Sequence, residues 1–227
     1  MIYQELIKVP VPRKTDTYSP VSHASIIDEV RESLDKRNLI VSEETYNVDN
    51  YGKKLIGYFD IKADDSEMGM RLAFRNSYDK SMSVAFVAGS CVWICSNGMI
   101  SGEIQYLRKH TGKVSSELSK KIKTSIDEIE KVFDLNTQAS LQMKDIQADK
   151  LLCAELSGLM YMEHDLIKAE QLSILKKELK EPTFNYNSQN SLWEFYNNVT
   201  FSFKNAHSSN YIKQHVDFHK FIEEKYL

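Results

Sequence analysis

The chain has 227 residues, of which 42% are hydrophobic and 27% charged, and its formal net charge is −3. This composition is typical of a globular protein with an ordinary hydrophobic core, and the charge balance excludes a uniformly basic coat for nucleic acid. No apolar run approaches the ~20 residues of a membrane-spanning helix, the N-terminus lacks the pattern of a signal peptide, and the three cysteines fit a reducing compartment. We therefore expect a cytoplasmic protein that has no membrane partner.

The first half of the chain predicts a sheet preceded by one helix. Three prolines indicate an extended arm over residues 1–21, and Ser22 or Ser25 would cap an amphipathic helix after it. Seven of the eight glycines lie between residues 52 and 112, which indicates strands and turns. The predicted strands are LIVSEETYNVD, KKLIGYFDIKA, MGMRLAFRNS, SMSVAFVAG and SCVWICSN, the last two separated by Gly89-Ser90. Their short connections favour an antiparallel meander.

The second half changes to helical periodicity. Apolar residues recur at helical spacing from Val114 to Phe133, and further helices are predicted from about Thr137 to Glu163 and from Ile167 to Leu179. Ser191 would cap the stretch LWEFYNNVTFSFKN, and a last helix, NYIKQHVDFHKFIEEKYL, follows. The predicted fold class is α+β: an antiparallel β-meander of about five to six strands with packed helices, followed by an α-helical C-terminal region. The predicted division is an extended arm (1–21), an α+β core domain (22–135) and a helical region packed on the core (136–227).

The cysteines carry no complete site. Cys91 and Cys95 would lie on one face of a strand roughly 13 Å apart, too far for a disulfide, and free cysteine is most often buried. The stretch CSNGM lacks the first glycine of a nucleophile elbow, and its Asn97-Gly98 pair is a strong hairpin signal. We interpret the cysteines as packing residues and Asn97-Gly98 as a two-residue turn that leads into MISGEIQYLR.

Two clusters of potential metal ligands have simpler explanations. Asp64, Asp65 and Glu67 lack the further ligands of a calcium loop and suit a solvated hairpin tip. His215 and His219 share a helical face with apolar residues, and the glutamate of a zinc-protease motif is missing after His215, so a helix–helix contact is favoured. The sequence thus predicts no catalytic residue, no metal site and no cofactor.

Basic and polar residues concentrate in two segments. From Glu103 to Thr124 there are six Lys or Arg residues against two Glu, a local charge of +4, and RNSYDKS (residues 75–81) is a turn rich in hydrogen-bond donors. Basic patches of this kind are the electrostatic footprint of phosphate binding, although a solvated helix face and a plain hairpin turn are the simpler interpretations. The predicted nucleic-acid-binding residues are Arg75, Asn76, Tyr78, Lys80, Tyr106, Arg108, Lys109, His110 and Lys113.

Several of these stretches resemble one family. RNSYDKS, the apolar strands after it, CSNGMISGE, RKHTGKV and the helix start YSPVSHASIIDEV are similar to motifs of the phage- and plasmid-associated family called domain of unknown function 932, over roughly residues 18 to 135. The helical C-terminal half looks like a variable continuation of such proteins. Tyr78 stands where histidine is commoner in the family. The resemblance implies a mobile-element origin and a bacterial host cell, and it implies no activity.

Two functions follow as alternatives. The first is a non-enzymatic protein of phage or mobile-element DNA metabolism that binds or anneals single-stranded DNA, with Tyr78 or Tyr106 stacking on a base. The second is a protein–protein module, such as an anti-defence or assembly factor that contacts a host or phage protein. Its interface would be the C-terminal aromatic residues Trp193, Phe195, Tyr196, Phe201 and Phe203, which core packing would explain equally well. An enzyme and a homo-oligomer both stay open.

Overall fold

The computed structural model describes residues 3–63, 67–93, 97–99, 105–186, 188–206 and 210–227, with the backbone alone described at 97–99, 105 and 205. The helices are α1 (Tyr3–Leu6), α2 (His23–Asp35), α3 (Val114–Asp127), α4 (Ile129–Asp145), α5 (Lys150–Met162), α6 (Ala169–Glu178), α7 (Leu192–Ser202) and α8 (Tyr211–Tyr226). The strands are β1 (Val41–Val48), β2 (Lys54–Ile61), β3 (Met68–Ser77), β4 (Val84–Val92), β5 (Asn97–Met99) and β6 (Gln105–Arg108). The fold is α+β, as predicted.

The chain divides into two compact units. The first unit comprises Met1–Ser90 and Gly102–Phe133, and the second comprises Cys91–Ser101 and Asp134–Leu227. The first holds most of the sheet with helices α1 to α3, and the second holds helices α5 to α8 with most of α4. Within the described ranges, no helix combines the length and apolarity that crossing a lipid bilayer demands.

The sheet is a meander, as the short connections predicted. Strands β1 to β5 are neighbours in chain order, and β1, β2 and β3 pair antiparallel without crossing over. Strand β6 adds to the sheet by pairing antiparallel with the beginning of β4, from Val84 to Val87. This pairing places the end of β6, at Arg108, opposite the first residue of β4, so the turns beside these two strand ends lie at the same end of the sheet.

One face of the sheet is buried under helices and forms the core of the first unit. Alternate residues of β2 and β3, such as Phe59 and Phe74, are fully buried in one apolar cluster with the inward faces of α2 and α3. Ser22 caps α2 by accepting a hydrogen bond from the Ser25 N–H at 3.4 Å, which confirms the first of the two caps considered. Asp60 on β2 and Arg71 on β3, which lie opposite each other, form a buried ion pair with N–O distances of 2.6 and 2.7 Å.

Several predicted boundaries are wrong. The arm over 1–21 contains the helical turn α1, and Gly89-Ser90 does not interrupt the sheet because both residues continue the fully buried strand β4. Asn97-Gly98 is not a two-residue turn, since both residues lie in β5. The stretch predicted as one helix from 137 to 163 is divided, because α4 ends at Asp145 and Asp149 caps α5 by accepting from the Leu152 N–H at 2.9 Å.

The second unit is built around aromatic side chains. Trp193, Phe195, Tyr196 and Phe203 are each at most 1% exposed, so these four side chains of the C-terminal aromatic stretch form a core, whereas Phe201 is partly exposed. His219 contacts the Tyr196 hydroxyl at 3.2 Å, which confirms the predicted helix–helix contact. Ser191 caps α7 as predicted, accepting from the Glu194 N–H at 3.1 Å. Cys91 is buried, as expected for a packing residue, whereas Cys95 and the acidic pair Asp64 and Asp65 lie outside the described residues.

Candidate nucleic-acid interface

The first basic turn, residues 77–82, joins β3 to the segment before β4. The Ser77 hydroxyl donates to the Met82 carbonyl oxygen at 2.9 Å and accepts from the Met82 N–H at 3.1 Å, which closes the turn. Within it, the Asp79 carboxylate accepts from the Ser81 N–H at 3.0 Å. Lys80 adopts a φ of +65°, a left-handed conformation that non-glycine residues rarely adopt outside tight turns, and its side chain is exposed. The local hydrogen bonds thus hold a lysine at the tip of the turn.

The second basic turn, residues 109–113, joins β6 to α3. The Thr111 N–H donates to the Lys109 carbonyl oxygen at 2.8 Å, and Gly112 has a φ of +57° with open space around its α-carbon. Lys113 is the residue before α3, and its side chain makes no capping hydrogen bond. Lys109 and Lys113 are both exposed. The free N–H groups at a helix start and two lysines therefore lie on one short loop.

The residues that flank the second turn are tied to α3. Arg108 forms an ion pair with Glu117, and both side chains are about two-fifths exposed, at 40% and 38%. The Tyr106 hydroxyl donates to the Val114 carbonyl oxygen at 3.4 Å, so this half-buried tyrosine contacts the first turn of the helix. Three predicted site residues in this segment are cationic: Arg108, Lys109 and Lys113. Among the described residues, the charge of Arg108 is already balanced by that of Glu117.

Tyr18, on the N-terminal arm, joins the two basic turns. Its hydroxyl donates to the carbonyl oxygen of Tyr78 in the first turn at 3.1 Å, and its ring lies 5.7 Å from the ring of His110 in the second. The ammonium of Lys80 sits over the Tyr18 ring, 4.6 Å from its centre, at cation–π distance. The backbone of Ser19 adds a hydrogen bond, donating to the His110 carbonyl oxygen at 2.8 Å. The two segments singled out in the sequence are therefore neighbours in the first unit.

A buried polar layer beneath Tyr18 fixes the start of α2. His23 contacts the Gly52 carbonyl oxygen through Nε2 at 3.1 Å and the Asn76 amide nitrogen through Nδ1 at 2.9 Å. Asn76 also donates to the Val21 carbonyl oxygen at 2.7 Å, and Tyr78 stacks on the His23 ring with centres 3.9 Å apart. Burial lowers the pKa of His23 to about 4, so the ring is neutral at pH 7. Since Asn76 donates to Nδ1, the ring proton lies on Nε2 and is donated to Gly52.

The stretches that meet in this layer are those that carry the family resemblance, YSPVSH and RNSYDKS. A family model described as a domain of unknown function (DUF932) matches residues 13–220. The chain belongs to this family. The match includes the helical region beyond residue 135, so in this DUF932 protein the C-terminal helices are part of the family domain and not a continuation outside it. No protein with a curated description and no solved structure shows a significant match.

Nine residues of this DUF932 chain were predicted to contact nucleic acid, and the structure divides them by exposure. Lys80, Lys109 and Lys113 are exposed, and Tyr106 and Arg108 are partly exposed. The other four are buried, each at most 8% exposed: Arg75, Asn76, Tyr78 and His110. The side chains of this buried group already serve the fold, so in the described conformation the contacts open to a ligand are those of the three lysines and their two partly exposed neighbours.

Burial also sets the charge state of the inner residues. The pKa of His110 is lowered by burial, so this imidazole adds no positive charge near pH 7. Burial lowers the pKa of Arg75 as well, but a guanidinium stays protonated at pH 7, and this buried one donates to the Ser83 carbonyl oxygen at 3.3 Å. Asp79 is offset by Lys54, whose ammonium lies 3.6 Å from its carboxylate. The surface formed by the two turns is therefore positive because of its exposed lysines.

Sequence reasoning missed the residues that assemble this surface. Tyr18 and Ser19 lie in a segment predicted to be extended, and together with His23 they were noted only as part of a helix start that resembles the family. Nothing in the sequence near Tyr18 indicates a partner 60 residues away.

Among the described residues, no group of three or more His, Cys, Asp or Glu side chains is arranged to hold a metal ion.

Proposed function

We propose that the first unit binds single-stranded nucleic acid through the phosphate groups of its backbone, in the DNA metabolism of a phage or other mobile element. The observation that carries the proposal is the contact of both basic turns with Tyr18, because it brings the tip of one turn beside the other. Lys80, Lys109 and Lys113 then act as one cluster of cations. The role is binding or annealing and needs no reacting group.

The start of α3 strengthens the proposed phosphate site. An α-helix leaves its first N–H groups unpaired and carries a partial positive charge there, and α3 has 14 residues. The side chain of Lys113, the residue before α3, makes no capping hydrogen bond. The Ser116 hydroxyl donates to the Lys113 carbonyl oxygen at 3.0 Å, so its proton does not take part in the proposed site. Gly112 has no side chain to keep a phosphate away. A backbone phosphate at this point would meet N–H donors and lysines together.

Tyr106 supplies the aromatic component. Proteins that bind single strands without sequence preference combine a positive surface with rings on which bases stack. The Tyr106 ring is partly exposed next to the second basic turn. Tyr78, the other ring predicted to stack on a base, is 6% exposed and is stacked on His23 instead. We therefore assign base stacking in this proposal to Tyr106.

The test compares two triple variants that remove the same charge. Lys80, Lys109 and Lys113 are replaced with Ala in one, and the exposed Lys131, Lys177 and Lys220 in the other. With a labelled oligothymidylate, we expect the first variant to lose roughly tenfold or more in affinity, and its log–log salt slope to fall by about two, since each phosphate contact on a single strand contributes ~0.7. The control variant should retain both values.

A wild-type chain that does not bind the oligonucleotide at low salt, or a first variant that matches the control, would reject the proposal. The protein-partner function would then take its place. It would need a different interface from the aromatic stretch around Trp193, which is buried within the second unit.

A further inference from the structure

A deep groove lies within the second unit, among helices α5, α6 and α7. Its volume is about 910 Å³, at the upper end of the range usual for small-molecule sites. Its walls are mainly apolar and include Leu175, Leu179 and Phe195. Gly158 on α5 also lines it, and a β-carbon at that position would meet nothing within 4 Å. The groove is therefore open space beside a helix and not a tightly filled seam.

One residue that lines this groove carries a buried, unsatisfied polar atom. Asn198 on α7 is 1% exposed, and its side-chain oxygen has no hydrogen-bond partner among the residues that the structure describes. Burying a hydrogen-bond acceptor without a donor is unfavourable, and native proteins rarely leave such groups unpaired. A donor from outside the chain would satisfy it. The atom thus indicates a ligand that carries an N–H or O–H group.

The charged residues around the groove favour an anion. Lys150, Lys176 and Lys180 line it and are exposed, against the single carboxylate of Glu194. Glu194 is already engaged, because it accepts a hydrogen bond from the Asn190 N–H at 2.7 Å. Lys176 lies in the last turn of α6 and Lys180 lies two residues beyond the helix, so the helix dipole favours both cations and explains their presence without a ligand. Lys150 lies at the start of α5, where the dipole disfavours a cation, so the dipole does not explain it.

We propose that this groove binds a small organic anion that has an apolar or aromatic body and an N–H or O–H donor. The body packs against the leucines and Phe195, the donor pairs with the Asn198 oxygen, and the anionic group meets the lysines. The site is separate from the basic turns of the first unit and does not depend on the function proposed for them.

The probe is 1-anilinonaphthalene-8-sulfonate, which has an aromatic body, one N–H and a sulfonate, and whose fluorescence rises in apolar sites. N-phenyl-1-naphthylamine, which lacks the sulfonate, serves as its neutral counterpart. We expect saturable binding of one sulfonate probe per chain. Replacing Lys176 and Lys180 with Ala should weaken the sulfonate probe roughly five- to tenfold, since contacts to charged groups are the stronger ones, and should leave the neutral probe nearly unchanged.

Gly158 provides a matched pair of variants. Gly158→Phe places a ring in the groove and should abolish binding of both probes, whereas Gly158→Ala should retain it, because a methyl group fits the open space. The melting temperature of each variant shows whether it is folded. Equal probe binding by a folded Gly158→Phe variant and by the wild type would overturn the proposal.

A second measurement uses the wild-type chain alone. Cys153 is a half-buried thiol that lines the groove, and burial raises its pKa to about 11. Alkylation by iodoacetamide at pH 9, located by mass spectrometry of the peptide, should therefore be slow and should slow further when the sulfonate probe is bound. An unchanged alkylation rate at a saturating probe concentration would place the probe elsewhere and reject the site.

Discussion

The hydroxyl of Tyr18 donates a hydrogen bond to the carbonyl oxygen of Tyr78, 3.1 Å away, although the two residues are 60 positions apart. The same ring contacts Lys80 and approaches His110, so one side chain of the N-terminal arm touches both basic turns. Tyr18 is 5% exposed. Its side chain therefore lies between the two turns and links them.

Two substitutions at Tyr18 separate the hydroxyl from the ring. Tyr18→Phe removes one neutral hydrogen bond and should cost about 1 kcal/mol of unfolding free energy. Tyr18→Ala also removes a buried ring and should cost about 3–5 kcal/mol. If the ring positions the turns, Tyr18→Ala should bind an oligonucleotide several-fold more weakly than Tyr18→Phe under conditions in which both are folded. Equal affinities would show that the turns keep their positions without it.

His23 predicts a loss of stability in mild acid. Burial lowers its pKa to about 4, below the value of about 6.5 expected in the unfolded chain. Between these two values the unfolded chain binds a proton that the folded chain does not, so stability is present above pH 6.5 and is lost as the pH falls toward 4. The loss from this one residue is on the order of 3 kcal/mol.

The variant His23→Gln isolates this contribution from that of other groups. Urea unfolding at several pH values from 7 to 4 should give a steeper decline of the unfolding free energy for the wild type than for the variant. His219, whose pKa burial also lowers to about 4, provides the internal comparison, because it adds the same dependence to both proteins. Parallel declines would mean that His23 is protonated in the folded chain.

The sequence predicted features that depend on neighbouring residues. The cap at Ser22 and the cap at Ser191 are confirmed because a hydroxyl and an N–H three positions later meet whenever a helix starts there. The meander is confirmed because strands joined by short connections pair as antiparallel neighbours. Gly89-Ser90 was misinterpreted as a break, since glycine and serine often signal turns but here lie within a strand that is buried along its whole length.

The candidate site was predictable only in part. Both basic turns were found from composition, and their lysines are exposed as a binding surface requires. The sequence could not show that Asn76 and Tyr78 face inward, because RNSYDKS has the polar composition of an exposed turn. Their burial depends on contacts with His23 and Tyr18, which lie more than 50 residues earlier in the chain.

Two glycines, one in a strand and one in a helix, should respond oppositely to alanine. Gly57 on β2 pairs with Phe74 on β3, and a β-carbon at Gly57 would lie 2.2 Å from the tip of the buried Phe74 ring. Gly57→Ala should therefore cost about 1–3 kcal/mol, as overpacked cores do. Gly158→Ala, in a helix with open space beside it, should gain about 0.5–1 kcal/mol. Denaturant unfolding measures both, and an equally stable Gly57→Ala variant would mean that the Phe74 ring can move aside.

The ion pair between Arg108 and Glu117 predicts that adjacent basic residues contribute unequally to nucleic-acid binding. Lys109 is exposed, and the charge of Arg108 is balanced by Glu117. Lys109→Ala should lower the salt slope for a single-stranded oligonucleotide by ~0.7, the value of one phosphate contact, whereas Arg108→Ala should change it by much less.

Glu117→Gln completes the comparison. It removes a carboxylate from the first turns of α3 and leaves Arg108 without its partner, so this variant should bind more tightly than the wild type and with a steeper salt slope. Its melting temperature should fall little, because exposed ion pairs contribute little to stability. Fluorescence anisotropy at four or five salt concentrations gives all three slopes. If Glu117→Gln instead binds more weakly than the wild type, the ion pair itself shapes the binding surface, and Arg108 acts by positioning α3 and not by its charge.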